Sequence, residues 1–425
     1  MRVLDTLWAH NNKFTASLPP TLGDLSELRD FQFYSNSITG SIPSTIGQLT
    51  RLSYFIGNDN SLTGTIPYQI GECYNLMTFT VSSNSLTGTI PYNISDLRAT
   101  LNILRLDHNL LTGTIHNEIF TGHTALQVIE LQNNGITGTW PYSADLTALY
   151  YFDASYNTFS DQARITTDVL GLNNTVMEVF WCTSCNLHGT IPDEPDYVRG
   201  MAGSLSNLKR LYSLKLDSNS LTGTIPNSLT NCSYMQTLYL DSNLLIGTIP
   251  SELFQLGGLS TVSLHTNSLT GVIPGSTDPA IYIVYNYRGW GYISNRLQYV
   301  YLYSNSLTGT IPANLATSNT RMVQLDLSDN LLTGTLTTEL FSSLTTYLNV
   351  LKLNTNQLSG TLPSISSTTR LTTIDFGFNS LTGTIPNTWF DLTGLTYLDV
   401  KRNSLSNDYL NLMFAMDTLA HIGEL

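Results

Sequence analysis

The stretch Asn60-Ser-Leu-Thr-Gly-Thr-Ile-Pro67 returns unaltered at 84–91, 219–226, 305–312 and 379–386. Its asparagine marks a slot filled by Asn12, Asn36, Asn60, Asn84, Asn109, Asn134, Asn157, Cys185, Asn219, Asn243, Asn267, Asn305, Asn330, Asn356, Asn379 and a degraded copy at Asn403, mostly 23 to 26 residues apart. A fixed period of this size marks a solenoid, because one unit cannot bury its apolar face alone and must stack on its neighbours. The repeat runs through nearly all of the 425 residues, so the sequence predicts a single elongated domain over 1–425, where length alone would suggest two or three.

Ahead of each asparagine runs the pattern LxxLxLxxN, as in Leu211-Tyr-Ser-Leu214-Lys-Leu216-Asp-Ser-Asn219. The period of two predicts one short strand per repeat, stacked in parallel, with Leu214 and Leu216 turned inward and Ser213, Lys215 and Asp217 outward. The asparagine carries a donor and an acceptor on a small side chain, so it can turn inward and satisfy backbone groups left unpaired at the strand end. Stacked copies predict an internal asparagine ladder. The glycine permits close approach of backbone, and Ile-Pro turns the chain into a short segment such as 44–49.

The repeat resembles that of the leucine-rich repeat family, in the plant-type subclass with the consensus LxxLxxLxLxxNxLxGxIPxxLxxL, over about residues 7 to 405. The resemblance implies a leucine-rich repeat solenoid of about 16 repeats in a twisted right-handed arc, mostly parallel β with short 3-10 or irregular convex segments. It implies a parallel sheet on the concave face, a second, shorter sheet around the TGTIP segment, and a recognition or scaffold role whose ligand the fold does not fix. Family members usually carry capping segments with paired cysteines. Here repeat-like sequence begins at Leu4, the last copy decays into Asp408-Tyr-Leu-Asn-Leu-Met-Phe-Ala-Met416, and neither end has a recognisable cap. An uncapped solenoid exposes apolar core and strand edges, so the chain is expected to be either a fragment or a structural subunit that stacks end to end into a filament.

Four cysteines are too few for a disulfide scaffold. Cys73 and Cys232 occupy equivalent slots just before a strand and read as free core thiols. Cys182 and Cys185 form a CxxC, but the register puts the first in a leucine slot and the second in the asparagine slot. Two core thiols are therefore expected ahead of a local disulfide, and either ahead of a metal or redox role.

With a net charge of −13 and only 12% charged residues, the surface disfavours nucleic acid and anionic membranes and suits neutral hydrogen-bonding partners. No window of 18 apolar residues exists to span a membrane. Asp5 and His10 interrupt any apolar signal core, so the biological start is expected upstream, while the sequons at Asn93, Asn173 and Asn231 point to an extracellular or cell-surface glycoprotein.

Two rows flank the repeated glycine, one running Thr39, Thr63, Thr87, Thr112 and onward, the other Ser41, Thr65, Thr89, Thr114 and onward, with breaks such as Gln162, His188, Ile246 and Val272. Three readings stand: good strand residues copied by recent duplication, a water-ordering face like those of ice-binding proteins, or attachment points for O-linked glycans. The second unusual feature is aromatic. The stretch 275–296 lengthens its repeat and contains Tyr285, Trp290 and Tyr292, and the following strand presents Tyr299, Tyr301 and Tyr303 outward, in line with Tyr239 two strands earlier. Tyr and Trp give rigid contact area with polar tips, so these residues are the expected ligand-binding site; the alternative for 275–296 is a small satellite core. Tyr151 and Trp181 make a smaller outward pair beside Glu130 and Asp153, and the other insertion, 193–207, reads as a mobile loop. His108 beside Asp107 and His265 near Asp241 are expected to be solvated. The seven histidines recur at no metal-ligand spacing, and no nucleophile elbow or phosphate loop appears, so the reading is non-catalytic, without cofactor or metal: a module binding protein, peptide or glycan through its concave face.

Overall fold

The computed structural model describes residues 3–116, 118–139, 145–160, 175–193, 208–275, 296–313, 315, 321–344, 347–365 and 370–406. The chain divides into two compact units, 1–221 and 222–425. In the first, nine strands from Thr6–Trp8 to Ser213–Lys215 lie parallel in sequence order, and in the second, seven from Thr237–Tyr239 to Tyr397–Asp399 do the same. The register is one repeat per strand without slip, as in Tyr54↔Thr78, Phe55↔Phe79 and Ile56↔Thr80. The central residue of these strands points inward and is buried from Phe31 onward through Phe55, Phe79, Leu104 and Ile129. Where one slot is overfilled, the next turn compensates: a Cβ on Gly57 would lie 2.2 Å from the ring of Phe33, so the phenylalanine occupies the space of two leucines.

The asparagine ladder forms as the donor and acceptor inventory requires. Asn84 donates from Nδ2 to the carbonyls of Gly57, Val81 and Ser82 at 3.0 to 3.1 Å, and its Oδ1 accepts from the amide of Leu62 at 2.8 Å. The residue before each ladder position is left-handed, with φ from 51 to 59°, and is mostly Ser, Asp, Asn or Thr, with His108, Tyr156, Phe378 and Arg402 as bulky exceptions. That bend brings the asparagine back over its own strand.

The TGT segments form the expected second sheet, five strands wide over Thr39–Gly40, Ser61–Thr65, Ser85–Gly88, Leu110–Thr114 and Gly135–Thr137, with shorter pieces later. Its threonines pack in a specific way. A Cβ on Gly113 would lie 2.6 Å from Cγ2 of Thr89, and one on Gly138 would lie 2.3 Å from Cγ2 of Thr114. Each second-row methyl therefore covers the glycine of the next turn, and these glycines all have positive φ. First-row hydroxyls donate back to the preceding turn's glycine carbonyl, as Thr87 does to Gly64 at 3.3 Å and Thr308 to Gly271 at 3.3 Å. Prolines in extended conformation then lead into 3-10 turns such as Ser44–Gln48, Tyr68–Glu72 and Tyr92–Leu97, while Thr338–Leu344 is a short α-helix.

Cys73 and Cys232 are buried free thiols, and burial pushes each up to about 12. Cys182 and Cys185 correct the expectation of two core thiols, because they form a disulfide with Cα atoms 5.5 Å apart. Both face the core, as their slots require. With no side-chain amide at Cys185, the ladder is rerouted: Asn219 Oδ1 accepts from the backbone N–H groups of both Cys185 and Leu187, at 3.0 and 2.9 Å, and Asn186 donates to the Phe159 carbonyl at 2.8 Å.

Candidate functional site

Within the second unit, the strands Thr237–Tyr239, Thr261–Ser263 and Tyr299–Tyr301 align Tyr239, Ser263 and Tyr301 in one column of the open sheet face, followed by Asp326. Ser263 sits between two tyrosines and is only 2% exposed although it is on the open face, and Thr261 beside it is 7% exposed. Small residues roofed by larger neighbours leave the tyrosines half-buried, with their edges in solvent. The Tyr301 hydroxyl donates to Oε1 of Gln324 at 3.2 Å, and the Tyr299 and Tyr301 rings lie 6.4 Å apart and near parallel.

The next column extends the patch. His265 stacks on Tyr303 with centroids 4.1 Å apart and planes 9° from parallel, and its Nε2 lies 3.3 Å from Oδ2 of Asp241. The expectation of a solvated His265 is thereby corrected: the Tyr303 ring covers it and leaves its side chain 19% exposed. The adjacent-strand register carried that signal, since 265 and 303 hold equivalent positions two residues beyond Ser263 and Tyr301. Oδ1 of Asp241 is buried without a hydrogen-bond partner among the described residues. Burial raises the phenol pKa of Tyr301, helped by Tyr239 and Tyr299, and raises that of Tyr303, helped by Asp326 and Asp241. Both phenols therefore stay neutral hydrogen-bond donors across the physiological range.

Tyr239, Tyr299, Tyr301 and Tyr303 are thus brought together; Tyr285, Trp290 and Tyr292 lie outside the described residues, as does Asn173. Asn93 lies half-exposed at the start of the turn Tyr92–Leu97, and Asn231 is exposed at the end of Asn227–Asn231.

The first unit carries a different patch on its own open face. Tyr151 and Trp181 meet edge to face at 5.7 Å, the Lys215 ammonium sits 4.0 Å over the Trp181 ring, and Trp181 Nε1 donates to Ser213 Oγ at 2.8 Å. Arg105 Nε donates to Glu130 Oε1 at 3.0 Å, while burial raises the carboxyls of Glu130 and Asp153. His108 is exposed here, with Nδ1 2.9 Å from Oδ2 of Asp107, as its sequence position led one to expect. Most charges in this patch have a partner in the fold.

Three segments, 210–232, 296–318 and 370–392, match the Leucine Rich Repeat family. Over 98% of its length the chain is similar to 73% of a plant peptide hormone receptor, RGFR1, solved in complex with RGF2, at 26% identity and a TM-score of 0.67. Over 93% of its length it is similar to 64% of PEPR1 in the PEPR1–AtPEP1 structure, at 26% identity and a TM-score of 0.54, and so spans less than two thirds of that receptor chain. A leucine-rich repeat protein of Leptospira interrogans is similar in fold over 100% of this chain and 95% of its own, at 23% identity and a TM-score of 0.63. No curated protein matches the sequence. With an asparagine that caps the neighbouring strand and a TGTIP arm that folds back over the turn before, repeated along the chain, the fold is a leucine-rich repeat solenoid, similar to those of the plant receptors above.

Proposed function

We propose that the chain is a non-catalytic, extracellular recognition module that binds a peptide across the open face of the main sheet in its second unit, at Tyr239, Tyr299, Tyr301 and Tyr303. The observation that carries the reading is this column arrangement of half-buried rings over roofed small residues. Such rings offer large contact area with little rotamer freedom left to lose, and their hydroxyls can donate to backbone carbonyls of an extended ligand. The likeness to a peptide hormone receptor solved with its ligand supports a peptide over a glycan. The stretch 275–296 adjoins the strand Tyr299–Tyr301 in sequence, and in this reading Tyr285, Trp290 and Tyr292 complete the site.

The test uses peptides selected on the purified chain from a displayed random library. Replacing Tyr299, Tyr301 and Tyr303 together by Ala is expected to weaken selected peptides by about 100-fold or more, the loss typical of removing a hot-spot cluster, with an unchanged circular dichroism spectrum. Affinity retained within a few-fold in the triple variant sinks the assignment.

A further inference from the structure

We infer that Asn93 carries an N-linked glycan whose first sugars lie in the groove beside it, against the rings of Tyr68 and Tyr92. The inference rests on the extracellular reading above, because only the secretory route supplies the donor. Asn93-Ile-Ser95 is an acceptor sequon at the start of the turn Tyr92–Leu97. The Asn93 amide donates to Oδ2 of Asp96 at 3.3 Å, a long surface contact that a glycan can replace. Asn93 also lines an open cavity of about 630 Å³ together with Thr65, Pro67, Tyr68, Thr89 and Tyr92.

Tyr68 and Tyr92 occupy the same slot, directly after the proline, in adjacent turns, and are 59% and 47% exposed. Other turns place Ser44, Asp193, Asn227 or Ser251 in that slot and one more tyrosine stands there in sequence, Tyr142, so an aromatic after the proline belongs to a few turns, of which the adjacent pair Tyr68 and Tyr92 flanks the Asn93 sequon. His116 meets the Tyr92 ring edge to face at 4.8 Å and restrains it. A sugar ring has an apolar C–H face that packs on an aromatic face, and a rim of hydroxyls that the side chains of Thr65 and Thr89 can meet. A free sugar would bind such a ledge weakly. A sugar tethered at Asn93 does not face that entropy, since attachment holds it beside the rings at high effective concentration.

In the transfer, Asn93 Nδ2 bonds to the anomeric carbon of a lipid-pyrophosphate-linked oligosaccharide, the anomeric C–O bond breaks, the lipid pyrophosphate leaves and the amide releases one proton. Ser95 is buried once the turn has formed, so the step precedes closure of the turn. The glycan then shields the exposed aromatic ledge of the first unit.

The experiment is to secrete the chain from a eukaryotic host, map glycopeptides by mass, and follow release of sugar from the native protein by peptide N-glycosidase. Asn93 should be occupied, and its sugar should be released about tenfold more slowly than in the Tyr68→Ala/Tyr92→Ala variant, the ratio that aromatic contacts of ordinary strength sustain. Tyr74→Ala, which removes an equally exposed ring outside the groove, should leave the rate unchanged. A bare Asn93, or equal release rates in the wild type and the double variant, overturns the inference. Sugar on Asn231 with Asn93 bare would do so while leaving the extracellular reading intact, and neither result touches the tyrosine test of peptide binding.

Discussion

The main sheet and the TGT flank are both built of short parallel strands from one repeat, yet the outward residues of the first change at most turns while those of the second hardly change. One column of the main sheet in the second unit reads Tyr239, Ser263, Tyr301, Asp326, Lys352, Asp375 and Asp399. The corresponding flank row in the first unit reads Ser41, Thr65, Thr89 and Thr114. The difference follows from what each side chain touches. A flank threonine lies on the glycine of the next copy, so its shape is set by another repeat, whereas a main-sheet residue beyond the strand centre meets solvent and like-facing neighbours. Uniformity in a solenoid therefore marks contact between copies, and variation marks a surface free to recognise something else.

The ladder is the extreme case of contact between copies, and removing one rung should have the largest effect. Asn109 is buried and donates to the carbonyls of Val81, Leu106 and Asp107 at 2.9 to 3.1 Å, while its Oδ1 accepts from the amide of Leu86 at 2.9 Å. Asn109→Ala leaves those groups without their partner and should lower unfolding free energy in urea by about 4 kcal/mol. Tyr54→Ser, on the open face two turns away, should change it by less than about 0.5 kcal/mol. Equal effects of the two would dissolve the distinction between the rows.

The flank glycine comes next. Gly113 has φ +75°, and its added methyl would lie 2.6 Å from the Thr89 methyl, so Gly113→Ala combines backbone strain with a steric clash and should cost about 2 to 3 kcal/mol. Pairing it with Thr89→Ser, which removes that methyl, should recover part of the loss in a double-mutant cycle; strict additivity would mean that the two residues do not touch.

Much of this was legible from spacing. The second sheet was what the resemblance to the leucine-rich repeat family implied, while the slot, the strands, the ladder and the two free core thiols follow from the period and from donor and acceptor counting. So does the tyrosine column, because register in a solenoid without slips is arithmetic. The Cys182–Cys185 bond was missed although its geometry is present in every turn. Asn84, for example, already reaches back to the carbonyl of Val81, three residues earlier, at 3.1 Å, so inward side chains at these two positions are turned toward each other by the left-handed residue between them. Slot assignment gave direction and not proximity. The threonine rows were open to three readings because a count of threonines cannot reveal that their methyls cover the glycine of the following turn, which depends on the offset between copies. The register places His265 beside Tyr303, but that their rings stack face to face rather than diverge into solvent depends on side-chain rotamers.

One interior column is broken by a titratable residue, which adds a pH test to the comparison. His123 fills the slot that holds Leu49 and Cys73 in earlier turns, and it is fully buried with no well-formed hydrogen bond at either ring nitrogen among the described residues. Burial, reinforced by Arg98, lowers its pKa to about 4 against a small opposing effect of the Ile94 and Ile119 carbonyls. The unfolded chain, with a value near 6.5, binds the proton more readily, so stability falls as pH drops from 6.5 toward 4. Between pH 7 and pH 5 the wild type should lose about 2 kcal/mol more than His123→Leu in urea denaturation. Comparing the two cancels Glu130 and Asp153, whose raised values act in the opposite direction. Parallel pH profiles would show that His123 finds a partner in solution.

The smallest expected effect separates the methyl from the hydroxyl in the flank row. Thr89→Val keeps the methyl over Gly113 and deletes only the hydroxyl, which faces outward on the exposed row. If copy-to-copy packing sets the row, this variant should match the wild type within about 0.5 kcal/mol, since Val fits a strand as well as Thr does. Thr89→Ser, which keeps the hydroxyl and loses the methyl, should be the less stable of the two. The reverse order would mean that the hydroxyls hold the row together, and the flank would then be a hydrogen-bonding surface in its own right, comparable to the main sheet.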